Sequence, residues 1–118
     1  MKPTTQQINL RGNLVEEEYV IEMKKTTQQL LPPQKFNKTT IFAYAGQTNN
    51  GYIASYPGPA VMATKDVPLI IRWRNNIEGK HILPVDYNYP FKSTDAFRNQ
   101  VPTVPHVHGV ATLSNSDG

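Results

Sequence analysis

Between residues 18 and 23 polar and apolar side chains alternate at almost every step, with Glu18 and Glu22 set against Tyr19, Ile21 and Met23. Successive side chains leave a strand on opposite sides, so this two-residue period predicts a strand near residues 15–25 with one buried face. Leu30-Leu31 then runs into Pro32-Pro33, a pair without amide donors that fixes an extended turn. Thr40-Ile41-Phe42-Ala43-Tyr44 offers a second short strand. Asn49-Asn50-Gly51 is a turn signal and Pro57-Gly58-Pro59 a rigid bend, after which Ala60–Ala63 can pair at a sheet edge. The strongest strand is Val67-Pro68-Leu69-Ile70-Ile71-Arg72-Trp73-Arg74, closed by Asn75-Asn76 and expected to anchor the core through one buried face. A last strand is expected at Val104-Pro105-His106-Val107-His108.

The remaining stretches show no period. Residues 1–14 are polar and read as an arm, leaving residues 15–118 as the folded part. From Ile82 to Pro102 aromatics and prolines mix without order, which suits a long ordered loop better than a linker, because linkers rarely carry so many aromatic anchors. The chain closes on the turn-rich Ser114-Asn115-Ser116-Asp117-Gly118, which leads toward a further element, so the fold reads as unfinished.

Composition agrees with an all-β class. Ten prolines, seven glycines and six tyrosines in 118 residues favour many short strands and turns over a helical bundle. That length supports one domain with a core of modest size. The net charge of +3 is scattered through Lys24-Lys25, Lys35, Lys38, Arg72, Arg74 and Lys80, which argues for a solvated surface and against nucleic-acid binding. No apolar run is long enough to span a membrane, and the N-terminus lacks the apolar core of a signal peptide. Either the protein is cytoplasmic or a leader has been removed. Without cysteine there is no internal disulfide and no thiolate for a blue-copper centre.

The candidate chemistry sits at His106 and His108. In a strand, residues two apart point to the same face, so the two imidazoles are expected to lie close together. They can share one metal ion or serve two ions of a cluster. Copper, zinc, iron and nickel all accept neutral imidazole. An ordinary hydrogen-bonded pair is the competing reading, because a metal site needs three or four ligands. His81, in the turn Gly79-Lys80-His81, reads as a loop or packing histidine.

Tyr56-Pro57-Gly58-Pro59, Arg72-Trp73-Arg74-Asn75-Asn76, His81-Ile82-Leu83-Pro84-Val85-Asp86, Pro105-His106-Val107-His108-Gly109 and Ser116-Asp117-Gly118 follow one another in an order and spacing that resemble the first cupredoxin domain of bacterial multicopper oxidases. The likeness is to the spore-coat laccase and bilirubin oxidase group and covers residues 15–118. It implies a cupredoxin-like Greek-key β-sandwich or barrel, of which this chain holds the N-terminal part.

The resemblance also implies roles. His106 would bind the type 2 copper of a trinuclear cluster and His108 one of the paired type 3 coppers. Asp117 would assist proton delivery during oxygen reduction, against its plainer reading as a turn aspartate. Pro57-Gly58-Pro59 and Trp73 would serve packing. The sequence departs from close relatives at Val110, where they often carry a second glycine. The whole enzyme would oxidise phenolic, aromatic or metal-ion donors at a type 1 copper and reduce dioxygen to water. The other ligands would come from the remainder of the enzyme, on a second chain or segment. Secreted, periplasmic or spore-coat locations would suit it better than the cytoplasm. The alternative is a non-catalytic cupredoxin-like module that binds copper or a partner.

Overall fold

The computed structural model describes residues 1, 5–8, 12–86 and 101–116. Five strands form one mixed sheet: β1 (Thr5–Ile8), β2 (Leu14–Gln28), β3 (Thr39–Thr48), β4 (Gly51–Ser55) and β5 (Leu69–Asn75). The architecture is all-β and cupredoxin-like, and the sole helical turn among the described residues is a 3-10 turn at Ser114–Ser116.

The long strand β2 organises the sheet. Its first half pairs antiparallel with β1 and its second half antiparallel with β3, while β5 runs parallel along residues 17–23. A strand has only two hydrogen-bonding edges. Because Glu17 and Glu18 pair with both β1 and β5, and Glu22 and Met23 with both β3 and β5, β1 and β3 must share one edge and β5 occupies the other. The hairpin β3–β4 continues beyond β3, closed through Thr48 and Gly51. There the Thr48 hydroxyl donates to the Gly51 carbonyl and accepts from the Asn50 amide, and Gly51 takes a φ of 103° that favours glycine.

The period read along β2 is present in space. Glu17, Tyr19, Ile21 and Met23 are buried, whereas Glu18, Val20 and Glu22 are only partly covered. Burying side chains of the size of Ile21 and Met23 stabilises the fold by roughly 1.5–3 kcal/mol each. Met23 packs with Ile77 and Val101, and Phe42 leans on this cluster.

Three expectations are corrected. Residues 104–108 form no strand: Pro102 and Pro105 lack amide donors, and the segment runs without a ladder. Strand β5 is not the buried anchor, since Leu69 and Trp73 each keep 36% of their surface exposed. It borders β2 alone and so lies at the edge of the described sheet. Residues 60–63 pair with no strand either. They are held instead by the Tyr19 hydroxyl, which donates to the Met62 carbonyl, and by the Met1 ammonium, which donates to the Ala60 carbonyl. The structure also adds β1 within the polar stretch read as an arm, and β4 after the Asn-Asn-Gly turn. Of the loop expected at 82–102, residues 87–100 lie outside the described residues.

Candidate metal centre

The segment that carries the histidine pair is tied to the sheet by one asparagine. Asn75, the last residue of β5, donates from Nδ2 to the carbonyl of Val101 at 2.7 Å, while its Oδ1 accepts the Ile77 amide at 3.1 Å. Next to it the Asn76 amide donates to the Met23 carbonyl at 2.8 Å. Val101 itself is buried against Met23 and Ile77. Residues 102–105 then leave the core, two of them proline with fixed φ, and deliver His106 and His108 to the surface.

There the two rings lie together. Their centroids are 6.2 Å apart and their planes meet at 81°. Both residues are exposed, and Gly109 turns the chain immediately afterwards with a φ of 80°. The pair expected from the one-residue spacing is therefore present, although a pinned irregular segment holds it where a strand was expected. Val104, Val107, Val110 and Leu113 of the same stretch are each more than half exposed. The 3-10 turn follows, closed by the Ser116 amide on the Leu113 carbonyl at 2.8 Å. Asp117, the expected proton carrier, lies outside the described residues.

His81 is not part of this pair. Its ring meets Phe42 edge-on at 5.4 Å, and its Nδ1 accepts the Leu83 amide at 3.0 Å. It is the packing histidine its turn suggested. Between β3 and residues 101–105 lies a half-open cavity of about 300 Å³, walled by Phe42, Tyr44, Tyr56, His81 and Pro105 over a floor of Met23 and Ile77.

On the opposite face of β2, Glu18 accepts from Arg72 Nε at 2.6 Å, and Glu22 has partners of its own. The Tyr52 hydroxyl donates to its Oε2 at 2.6 Å, and Lys24 Nζ stands 5.4 Å from the centre of the Tyr52 ring. That hydrogen bond, helped by Asn76, Lys24 and Arg74, holds the Glu22 carboxyl below its usual range. Burial and the bond to Glu22 push the Tyr52 phenol up to about 12. Elsewhere burial, with the Glu17 charge second, raises the Tyr19 phenol. The Glu17 carboxylate is 5% exposed and accepts the Thr64 amide at 3.4 Å and its hydroxyl at 3.5 Å.

The sequence relationships decide the family. The chain is 30% identical over 103 residues to the laccase of Bacillus subtilis (strain 168), an alignment covering 85% of this chain and 18% of that protein. It is 38% identical over 80 residues to multicopper oxidase LPR1 homolog 3 of Oryza sativa subsp. japonica, covering 68% and 14% respectively. The laccase of Bacillus stratosphericus is 37% identical over 67 residues, covering 57% and 13%. The chain belongs to the multicopper oxidases. No family model matches it, and no solved structure matches it significantly.

This multicopper oxidase chain thus spans less than a fifth of the length of the curated relatives it matches. Copper is the metal against which its donor set is tested. Neutral imidazoles suit copper, and both are exposed enough to reach an ion. Among the described residues, no group of three or more His, Cys, Asp or Glu could hold an ion unaided. Among them, too, no helix is long and apolar enough to cross a membrane.

Proposed function

We propose that this chain supplies the first two histidine ligands to the trinuclear copper cluster of a laccase-like oxidase, His106 to the type 2 copper and His108 to one of the type 3 coppers. What supports the reading is the pair itself: two exposed imidazoles side by side, their ring centres 6.2 Å apart, in a relative of laccases. Residues 15–118 form the N-terminal part of the first cupredoxin domain, with residues 1–14 leading into it. The remaining ligands come from the rest of the enzyme, on a second chain or segment.

Copper, when bound, supplies one-electron redox chemistry, so that electrons from a phenolic, aromatic or metal-ion donor can be gathered before dioxygen is reduced to water. The work of this chain is to hold. Asn75 and Val101 fix the base of the segment, Pro102 and Pro105 stiffen it, and Gly109 turns the backbone away from the ligands. Asp117 follows the pair in sequence and carries protons toward the cluster as a carboxylate beyond the ligands. A secreted, periplasmic or spore-coat setting suits such an oxidase.

Oxygen uptake by the full-length protein with a phenolic donor tests the proposal. His106→Ala and His108→Ala should each abolish uptake, and Asp117→Asn should slow it on the order of 100-fold with copper retained. Undiminished uptake in the histidine variants contradicts it. Because the described residues bring no third ligand to the pair, a non-catalytic copper-binding module is the second reading. It predicts copper binding with no oxygen uptake in the wild type.

A further inference from the structure

The turn Asn49-Asn50-Gly51 at the tip of the β3–β4 hairpin plays no part in the reading above, yet its residues carry a chemistry of their own. Asn50 is the only asparagine of the sequence that is followed by glycine. Asparagine is labile because its side-chain carbonyl carbon lies within ring-closing reach of the next residue's amide nitrogen, and a side chain on that next residue obstructs the approach. Glycine offers no obstruction. Asn50 is exposed; its main-chain amide donates to the Thr48 hydroxyl at 3.1 Å, and its carboxamide has no partner among the described residues. Beside Gly51 the space is open, with nothing within 4 Å of the place a Cβ would take. The pair Thr48 and Gly51 is the last rung of the ladder, where local opening comes first and releases the Gly51 amide for reaction.

The step balances with no reagent but water. Hydroxide takes the proton of the Gly51 amide, the nitrogen bonds to Cγ of Asn50, and the Cγ–Nδ2 bond breaks, the leaving nitrogen taking a proton from water to depart as ammonia. Water then opens the cyclic imide. Opening at the main-chain carbonyl of Asn50 leaves the chain running through Cβ and Cγ, which is isoaspartate; opening at Cγ leaves aspartate. Isoaspartate makes the backbone one atom longer within the tight turn and puts a carboxylate where a neutral amide stood. Strand β4 is short, and among the described residues it pairs with β3 alone, so β3 by itself fixes its register. The lengthened turn cannot keep both Thr48 opposite Gly51 and Gln47 opposite Tyr52, and it carries the Tyr52 hydroxyl off the Glu22 carboxylate that it meets at 2.6 Å.

We propose that Asn50 is a site of spontaneous covalent modification, turning through a cyclic imide with Gly51 into isoaspartate, and that this change uncouples β4 from β3. Rising pH speeds it, because the attacking nitrogen must first lose its proton. Neither the histidine pair nor copper takes part.

The test ages the full-length protein at pH 8.5 and 37 °C, as wild type and as Asn50→Gln, and maps every asparagine by tandem mass spectrometry, with isoaspartate identified through labelling by an isoaspartyl methyltransferase. Glutamine keeps an exposed amide and leaves the fold intact, but its longer side chain closes a larger, slower-forming ring. Conversion at Asn50 should be at least about 10-fold faster than at Asn49, whose next residue carries a side chain. Isoaspartate should be the main product, with none at this position in the variant. Aged wild type should lose hydrogen-exchange protection from Gln47 to Ser55 while β2 keeps its own, and aged Asn50→Gln should keep both. Conversion at Asn50 no faster than at Asn49 overturns the proposal, and so does aspartate as the sole product. Isoaspartate at Asn50 in a hairpin whose protection is undiminished overturns it equally.

Discussion

Asn75 Nδ2 and the carbonyl oxygen of Val101 are 2.7 Å apart, and this bond joins the end of β5 to the root of the segment that displays His106 and His108. The same side chain accepts the Ile77 amide, so one amide group satisfies two partly buried backbone groups. Replacing it with leucine keeps the volume and orphans both. Asn75→Leu should destabilise the protein by about 1–3 kcal/mol, read as a lower urea midpoint at unchanged slope. It should also reduce copper content although no ligand is removed. Stability within about 0.5 kcal/mol of wild type would mean that the segment is held by other means.

Tyr52 reaches Glu22 across an intervening strand. Glu22 pairs with Ala45 and Tyr52 with Gln47, so the hydroxyl passes over β3 on the face that carries the small, buried Ala45. Both groups make stability depend on pH. Glu22 is held below its unfolded value, so its contribution is complete above that value and is lost as pH falls through the lowered one. Tyr52 is raised from 10.0 to about 12, so its contribution is complete below pH 10 and is lost between pH 10 and 12. Tyr52→Phe should reduce the alkaline loss to the part carried by the raised Tyr19 phenol, and soften the acid one, leaving Asn76, Lys24 and Arg74 to hold Glu22 down. Thermal melting from pH 3 to 12 measures it; unaltered limbs in the variant would contradict the bridge.

Tyr19→Phe isolates another long-range tie. The hydroxyl donates to the Met62 carbonyl from a side chain that is 1% exposed, and it fastens a stretch of backbone that joins no strand. Losing it should cost about 1–2 kcal/mol and speed hydrogen exchange in residues 60–64 more than in β2. Uniform exchange changes would show that the tie is not local.

Where the fold was legible in the sequence, a side-chain period made it so. The alternation around Tyr19, Ile21 and Met23 marks β2, read near residues 15–25 and observed at Leu14–Gln28. Phe42 and Tyr44 mark β3. Strand β1 carries Thr-Gln-Gln-Ile and depends on pairing with β2, so nothing local announces it. Strand β4 is small and mixed, and only its hairpin turn is legible. The histidine pair shows in the spacing because residues two apart stay neighbours in any extended backbone, with or without a ladder. Its support does not show: Asn75-Asn76 reads as the end of a strand, and the bond to Val101 joins residues 26 apart in sequence.

Copper stoichiometry tests the central claim most directly. Metal content of the purified full-length protein, measured by inductively coupled plasma mass spectrometry, should fall in His106→Ala and in His108→Ala, and further in the double variant. The far-ultraviolet circular dichroism should stay that of wild type in all three. A double variant that folds and retains the copper content of the wild type would contradict the assignment of His106 and His108 as ligands.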